Sequence, residues 1–397
     1  MQTKTKIKLT SLGATVFIMV LSNTILIPIF PEMRQALGVS MVQVSMLVVA
    51  VNVPAAIISP IGGFLADLWG RKAVIIPSLA IYGLGGLIAG IVGIYSEDPY
   101  NLILFARVLQ GIGSAAPMFL AITLAGDIFQ SSERSEAVGL METASGTGKI
   151  LGPILGSLVG ILSWYSPFFI YPLVSIPTAI AVYYLIEPVQ PSGQQMTRDY
   201  SALFKVLKQG VFLIGFVISF ISLYILFGLM FWLSESFEEN IQAGAILRGI
   251  VVSLPVIAFL LTTLFAEWFY LKYKVKKTLL IGLGLTILFV SMVPLVDDWV
   301  FIWPVIFLAG VGVGVLMPAL DTLFTSIQAS QRGVMTTIFG SIRSLGVAGG
   351  TSSFAYLMPL GTEFTFWLIS AIVLVVLIIV IVLFKENAIP ERSENID

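Results

Sequence analysis

Gly63-Phe64-Leu65-Ala66-Asp67-Leu68-Trp69-Gly70-Arg71-Lys72 sets an acid, a glycine and two cations between two long apolar runs. A charged knot this short, in so apolar a neighbourhood, reads as a tight loop joining two membrane-spanning helices. That reading holds only if the rest of the chain is built from such helices.

Composition supports it. Of 397 residues 57% are hydrophobic and 11% charged, where a soluble domain carries about 25% charge. The apolar runs reach the roughly 20 residues that cross a bilayer. Lipid offers the backbone no hydrogen-bond partners, so such runs must be helices. The chain has no cysteine and no histidine. Disulfides, thiol chemistry, histidine acid–base catalysis and most zinc chemistry are thereby set aside. A net charge of −1 argues against nucleic acid as a partner. No enzyme, metal or cofactor is expected.

Hydropathy places twelve spans: Leu9–Phe30, Val42–Leu65, Ala73–Tyr95, Asn101–Phe129, Glu136–Leu162, Pro167–Ile186, Val211–Leu233, Ala243–Phe265, Thr278–Val296, Val300–Ser326, Gly333–Leu357 and Phe364–Phe384. The first follows Lys4, Lys6 and Lys8 and could pass for a signal peptide. It is too long and lacks a small-residue cleavage site, so it reads as an uncleaved span. A polar stretch interrupts the chain midway and divides it into a first bundle (1–187), a linker (188–209) and a second bundle with a short tail (210–397). Lys and Arg gather on the side of the opening loop, the linker and both termini, while the other side has Arg34 and mostly acids. The positive-inside rule makes the first side cytoplasmic, in the cell membrane of an organism expected to be bacterial. Gly111-Ile112-Gly113 in span four is echoed by Gly310-Val311-Gly312 in span ten. The loop from Glu267 to Lys277, between spans eight and nine, keeps the acid-then-cation order of the opening loop but lacks its glycines.

Ionisable residues inside the spans carry the functional reading, because charge at bilayer depth is costly and marks pathways or relays. Arg107, Glu142, Lys149, Asp321 and Arg343 lie well inside, with Arg248 nearer an outer end. Glu142 and Asp321 are candidate proton carriers, since a buried carboxylate holds its proton closer to neutral pH. The competing reading makes them permanent ion-pair partners that order the bundle. Lys149 stands one position past a glycine stripe and turns about 100° away from it. Lys149, Arg343, Arg107, Gln110, Asn23 and Tyr224 are candidates for lining a substrate cavity. For the aromatic and amide residues, plain packing competes with that role. Ser145-Gly146-Thr147-Gly148-Lys149 imitates a phosphate-binding loop, but Thr143 and Ile150 break the pattern and a helix surrounds it.

The opening stretch resembles the signature loop of the major facilitator superfamily, Gly-x-x-x-Asp-Arg-x-Gly-Arg-Lys, with Leu68 where the family has its first arginine. Arg107-Val108-Leu109-Gln110-Gly111 resembles that family's Arg-x-x-Gln-Gly motif. Gly148-Lys149-Ile150-Leu151-Gly152-Pro153-Ile154-Leu155-Gly156 is similar to the motif of its drug/proton antiporter branch. Gly148, Gly152 and Gly156 form one small-residue stripe suited to close helix packing, and Pro153 disturbs the ladder. The resemblance implies an all-α polytopic membrane protein of twelve helices in two pseudo-symmetric six-helix bundles. It also implies a conformational latch of Gly63, Asp67, Gly70, Arg71 and Lys72. Asp67 would face the start of span eleven near Gly333, Arg71 would pair with Asp127, and Arg134 would join the network. The expected function is efflux of small amphipathic compounds or drugs, in exchange for protons, by a monomer in the lipid bilayer. The alternatives are a dedicated exporter of one metabolite, such as a siderophore or lipid, and an uptake symporter.

Overall fold

In a computed structural model of the chain, residues 3–129, 131–187, 209–240, 244–325 and 329–384 are described, the side chains of 3–6, 127, 131–136, 138, 238–240, 266–271, 325, 329–334 and 336 apart. The secondary structure of these residues is helical throughout. The helices are α1 (Thr3–Thr24), α2 (Phe30–Leu37), α3 (Met41–Trp69), α4 (Arg71–Tyr95), α5 (Tyr100–Ser114), α6 (Pro117–Ile128) and α7 (Ser131–Gly160). They continue with α8 (Ile170–Leu185), α9 (Gly210–Asn240), α10 (Ala245–Thr263), α11 (Ala266–Met292), α12 (Trp299–Thr325), α13 (Ala329–Leu357) and α14 (Thr362–Leu383).

Among the described residues, fourteen helices make twelve spans because prolines break two of them. Pro28 and Pro31 divide span one into α1, a 3-10 turn over Ile27–Ile29, and α2. Pro117 divides span four into α5 and α6. Each missing N–H and ring clash falls where a continuous helix was expected. Span seven is longer than its apolar run: α9 continues to Asn240 and carries Glu235 on the helix, where hydropathy reads a loop. Among the described residues, ten helical stretches are long and apolar enough to cross a membrane. The two long helices outside that set, α7 and α13, carry glycines and charges in place of part of the apolar surface.

Local signals fix the turns. Ser40 caps α3 by accepting from the Gln43 N–H, and Gln43 answers by accepting from the Ser40 N–H, a reciprocal capping box. Gly70, at φ 87° and ψ 149°, reverses the chain between α3 and α4. Its counterpart in the second half is Lys274, at φ 57° and ψ 179°, which kinks α11 near its start.

Two compact units form: residues 1–193 with 230–253, and residues 194–229 with 254–397. In the first, α1 packs along α7, while α4 packs on α5 and α8 and α3 packs on α5. In the second, α11 packs along α12 and α14. The same glycine logic operates inside each. A β-carbon on Gly111 would strike the Val51 carbonyl of α3, and one on Gly113 the backbone of Tyr82 in α4. A β-carbon on Gly310 would strike the Pro255 carbonyl of α10, and one on Gly312 the backbone of Thr286 in α11. The sequence echo between spans four and ten is therefore a packing echo: both helices lie backbone-close against the two spans before them. A second echo is invisible to motif reading. Gly148, Gly152 and Gly156 of α7 meet Phe17, Thr24 and Ile25 of the first span, while Gly346 and Gly350 of α13 meet the Phe220 and Tyr224 carbonyls of α9.

Candidate functional site

The signature loop occupies the junction of α3 and α4. Gly63 lies one and a half turns before the end of α3 and Asp67 stands exposed in its last turn. An acid at a helix C-terminus opposes the macrodipole, so α3 itself gives no reason for Asp67 to be there. Leu68 and Trp69 are exposed side by side. Arg71 Nη1 donates to the Thr123 carbonyl of α6 at 3.1 Å. Lys72 Nζ donates to the carbonyls of Tyr183 and Ile186, both at 2.6 Å, and lies 5.3 Å from the Tyr183 ring centre. Those two carbonyls end α8, where the last turn leaves acceptors unpaired, so Lys72 closes that helix. The side chains of Asp127 and Arg134, and that of the first turn of α13 at 333, lie outside the described residues.

Deeper in the first unit, Arg107 is 2% exposed. Its Nε donates to the Leu47 carbonyl at 3.1 Å, its Nη1 donates to Gln110 Oε1 at 2.7 Å, and its guanidinium lies 5.5 Å from the Tyr171 ring centre. Tyr171 in turn meets Tyr82 edge-on at 5.6 Å. Glycines at 85 and 86 leave the space that Gln110 and Tyr171 fill. Among the described residues no carboxylate pairs with Arg107. A guanidinium buried this deep is tolerated because carbonyl, amide and ring faces surround it. The motif spacing brings Arg107 and Gln110 together because i and i+3 share a helix face.

The other sequence candidates are dispersed. Asn23 accepts a hydrogen bond from Asn52 Nδ2 at 3.2 Å, linking α1 to α3. Glu142 is exposed on α7 and makes no ion pair among the described residues, and Lys149 is half-buried on the same helix. Gly148, Gly152 and Gly156 face α1, and Pro153 lies within α7, where the backbone of 153–154 also approaches Gly249. In the second unit Asp321 is exposed on α12. Tyr224 is buried, accepts from Ser353 Oγ at 2.7 Å and stacks on Phe220. The Arg343 guanidinium lies 5.3 Å from the Phe339 ring centre on its own helix.

One cluster escapes sequence reasoning. Arg34 Nη2 lies 3.1 Å from Glu235 Oε2, with the Glu235 side chain only 1% exposed. Arg248 pairs with Glu32 and donates to the Pro28 carbonyl at 3.3 Å. Ser234 Oγ donates to the Ile27 carbonyl at 2.6 Å, and Phe231 packs on Phe30 at 5.8 Å between ring centres. The broken end of span one thus receives the last turns of α9 and the first turn of α10, all within the first unit. The available signal was Pro28 and Pro31 close to Glu32 and Arg34.

The sequence model of the Major Facilitator Superfamily matches residues 12–348 and 213–395. The chain is 31% identical over 399 residues to the bacillibactin exporter of Bacillus subtilis (strain 168), with 97% of this chain and 98% of that protein covered. It is 27% identical over 349 residues to Multidrug resistance protein 1 of the same organism, with 85% and 87% covered. The crystal structure of a D-xylose-proton symporter superposes with a TM-score of 0.75 at 14% identity, covering 97% of this chain and 98% of that one. At such identity the likeness speaks for the fold alone. The full-length match, the paired glycine packing of the two units and the loop at Gly63 to Lys72 converge: this chain, a multi-pass membrane protein, belongs to the major facilitator superfamily.

Proposed function

We propose that the protein is a secondary active transporter that exports small amphipathic compounds in exchange for protons by alternating access. The observation that carries this reading is full-length similarity to relatives named as exporter and multidrug resistance proteins. Rocking of bundles around a midplane site is how such folds move cargo. In this reading Glu142 and Asp321 load and release the coupling proton, and Asn23, Arg107, Gln110, Lys149, Tyr224 and Arg343 shape the path of the substrate. Asp67 latches the signature-loop side against the start of α13, with Arg71, Lys72, Asp127 and Arg134 around it. Both termini face the cytoplasm and the protein works as a monomer. No bound cofactor takes part; the proton is the coupling ion.

A second reading, export of one dedicated metabolite, is favoured by the relative named for bacillibactin. Inverted membrane vesicles separate the two. With an imposed pH gradient, multidrug export predicts uptake of ethidium and other cationic dyes. Dedicated export predicts uptake of bacillibactin or another siderophore alone. Gradient-independent uptake would remove proton coupling from both. Glu142→Gln is expected to cut gradient-driven uptake at least tenfold while leaving downhill exchange of substrate intact. Undiminished gradient-driven uptake in that variant would take Glu142 out of the coupling path.

A further inference from the structure

A cleft of about 520 Å³ opens where α3 turns into α4 beside the end of α8. Trp69, Gly70, Lys72, Ile76, Tyr183 and Tyr184 line it. All belong to the first unit, and none is among the residues proposed to shape the path of the substrate. Ile76, one turn beyond Lys72 on α4, adds an apolar side chain to the lining. The rim is aromatic: Trp69, Tyr183 and Tyr184 are 65%, 57% and 78% exposed. Exposed aromatic rings at span ends belong to the headgroup level of a bilayer.

Lys72 supplies the charge. An ammonium has three N–H donors. Two go to the Tyr183 and Ile186 carbonyls, and the third has no acceptor among the described residues. No carboxylate pairs with Lys72 there either. The two carbonyls hold the ammonium in place at the end of α8 without neutralising it. The cleft therefore presents a fixed cation with a donor to spare, beside an indole N–H, a phenol and an apolar side chain.

We propose that this cleft binds the phosphodiester of an anionic phospholipid from the leaflet on the signature-loop side. A phosphodiester carries one negative charge on acceptor-only oxygens, which matches one cation and neutral donors. A free phosphate or a nucleotide carries more charge than Lys72 alone offsets and leaves the Ile76 side chain unused. A zwitterionic lipid brings its own cation to the site. Basic pockets between spans on this side of a membrane suit anionic headgroups for the same reasons. The bound lipid would brace the junction of α3 and α4, next to Asp67.

Trp69 makes the test direct. The full-length protein is reconstituted in phosphatidylcholine bilayers containing a small fraction of chain-brominated phosphatidylglycerol or, separately, chain-brominated phosphatidylcholine. The fluorescence that is lost in Trp69→Phe isolates the Trp69 signal. Brominated phosphatidylglycerol is expected to quench that signal about five-fold more effectively per molecule than brominated phosphatidylcholine, the scale of one basic residue at an anionic surface. Lys72→Gln should bring the ratio to about one, and Lys72→Arg should keep it above one. Tyr184→Ala, which leaves Lys72 and its carbonyls in place, should lower the ratio and guards against misfolding of the lysine variant. Equal quenching by the two lipids in the unaltered protein would overturn the proposal, as would an unchanged ratio in both Lys72→Gln and Tyr184→Ala. Loss of the ratio on adding inorganic phosphate at constant ionic strength would also overturn it, by showing a site for the free anion.

Discussion

The two ends of α3 are charged in different ways. The helix has 29 residues, so its ends stand about 43 Å apart at 1.5 Å per residue. Beside the first end, acids meet bases: Arg34 with Glu235, and Glu32 with Arg248. Beside the second, the cations Arg71 and Lys72 reach backbone carbonyls of α6 and α8. Paired side chains can part and find water or other partners. A carbonyl at a helix end moves only with its helix. The first arrangement therefore holds segments distant in sequence, the second ties neighbouring helices into one body. At one end stability depends on charge meeting charge. At the other, cations are fixed by backbone acceptors of α6 and α8.

That contrast can be broken most sharply at Glu235. Glu235→Ala is expected to cost about 3 kcal/mol, the low end for stripping one partner from a buried pair because Arg34 is partly exposed. It should appear as a lower melting temperature in detergent, and an unchanged one would remove the distinction between the two ends. Arg248→Gln should cost about 1–2 kcal/mol by the same measurement, since Glu32 can turn to solvent. A double substitution of Arg34 and Glu235 should lose less than the sum of the single losses, which would place the energy in the pair. Asp67→Asn should barely move the melting temperature, within about 0.5 kcal/mol as for an exposed surface change. It is nonetheless expected to reduce transport about tenfold in vesicles. Normal transport in that variant would take the latch away from Asp67.

The spans, the signature loop and the repeat of glycines in spans four and ten were legible because each is a local pattern. Hydropathy finds a span from its average composition, and a motif declares itself by spacing. The Glu235 pair was not legible for two physical reasons. A carboxylate at the end of an apolar run reads as a loop, although the helix continues through it. Its partner lies two hundred residues back, next to prolines whose only local message is a break. The glycines at 346 and 350 were passed over because nothing in their own stretch states that the Phe220 and Tyr224 carbonyls will come against them. Arg107 and Gln110 fall between these cases. Their spacing put them on one face, but the Tyr171 ring that receives the guanidinium comes from a different helix.

Lys274 carries a consequence of another kind. Where the first half turns from one span to the next through Gly70, the second half makes the corresponding turn through a lysine held at φ 57°. Side-chain-bearing residues resist that backbone region, at a cost on the order of 1–3 kcal/mol. The position is thus a built-in opportunity for engineering. Lys274→Gly should raise the melting temperature of the protein in detergent by relieving about 1 kcal/mol of that strain, a gain obtained by removing atoms.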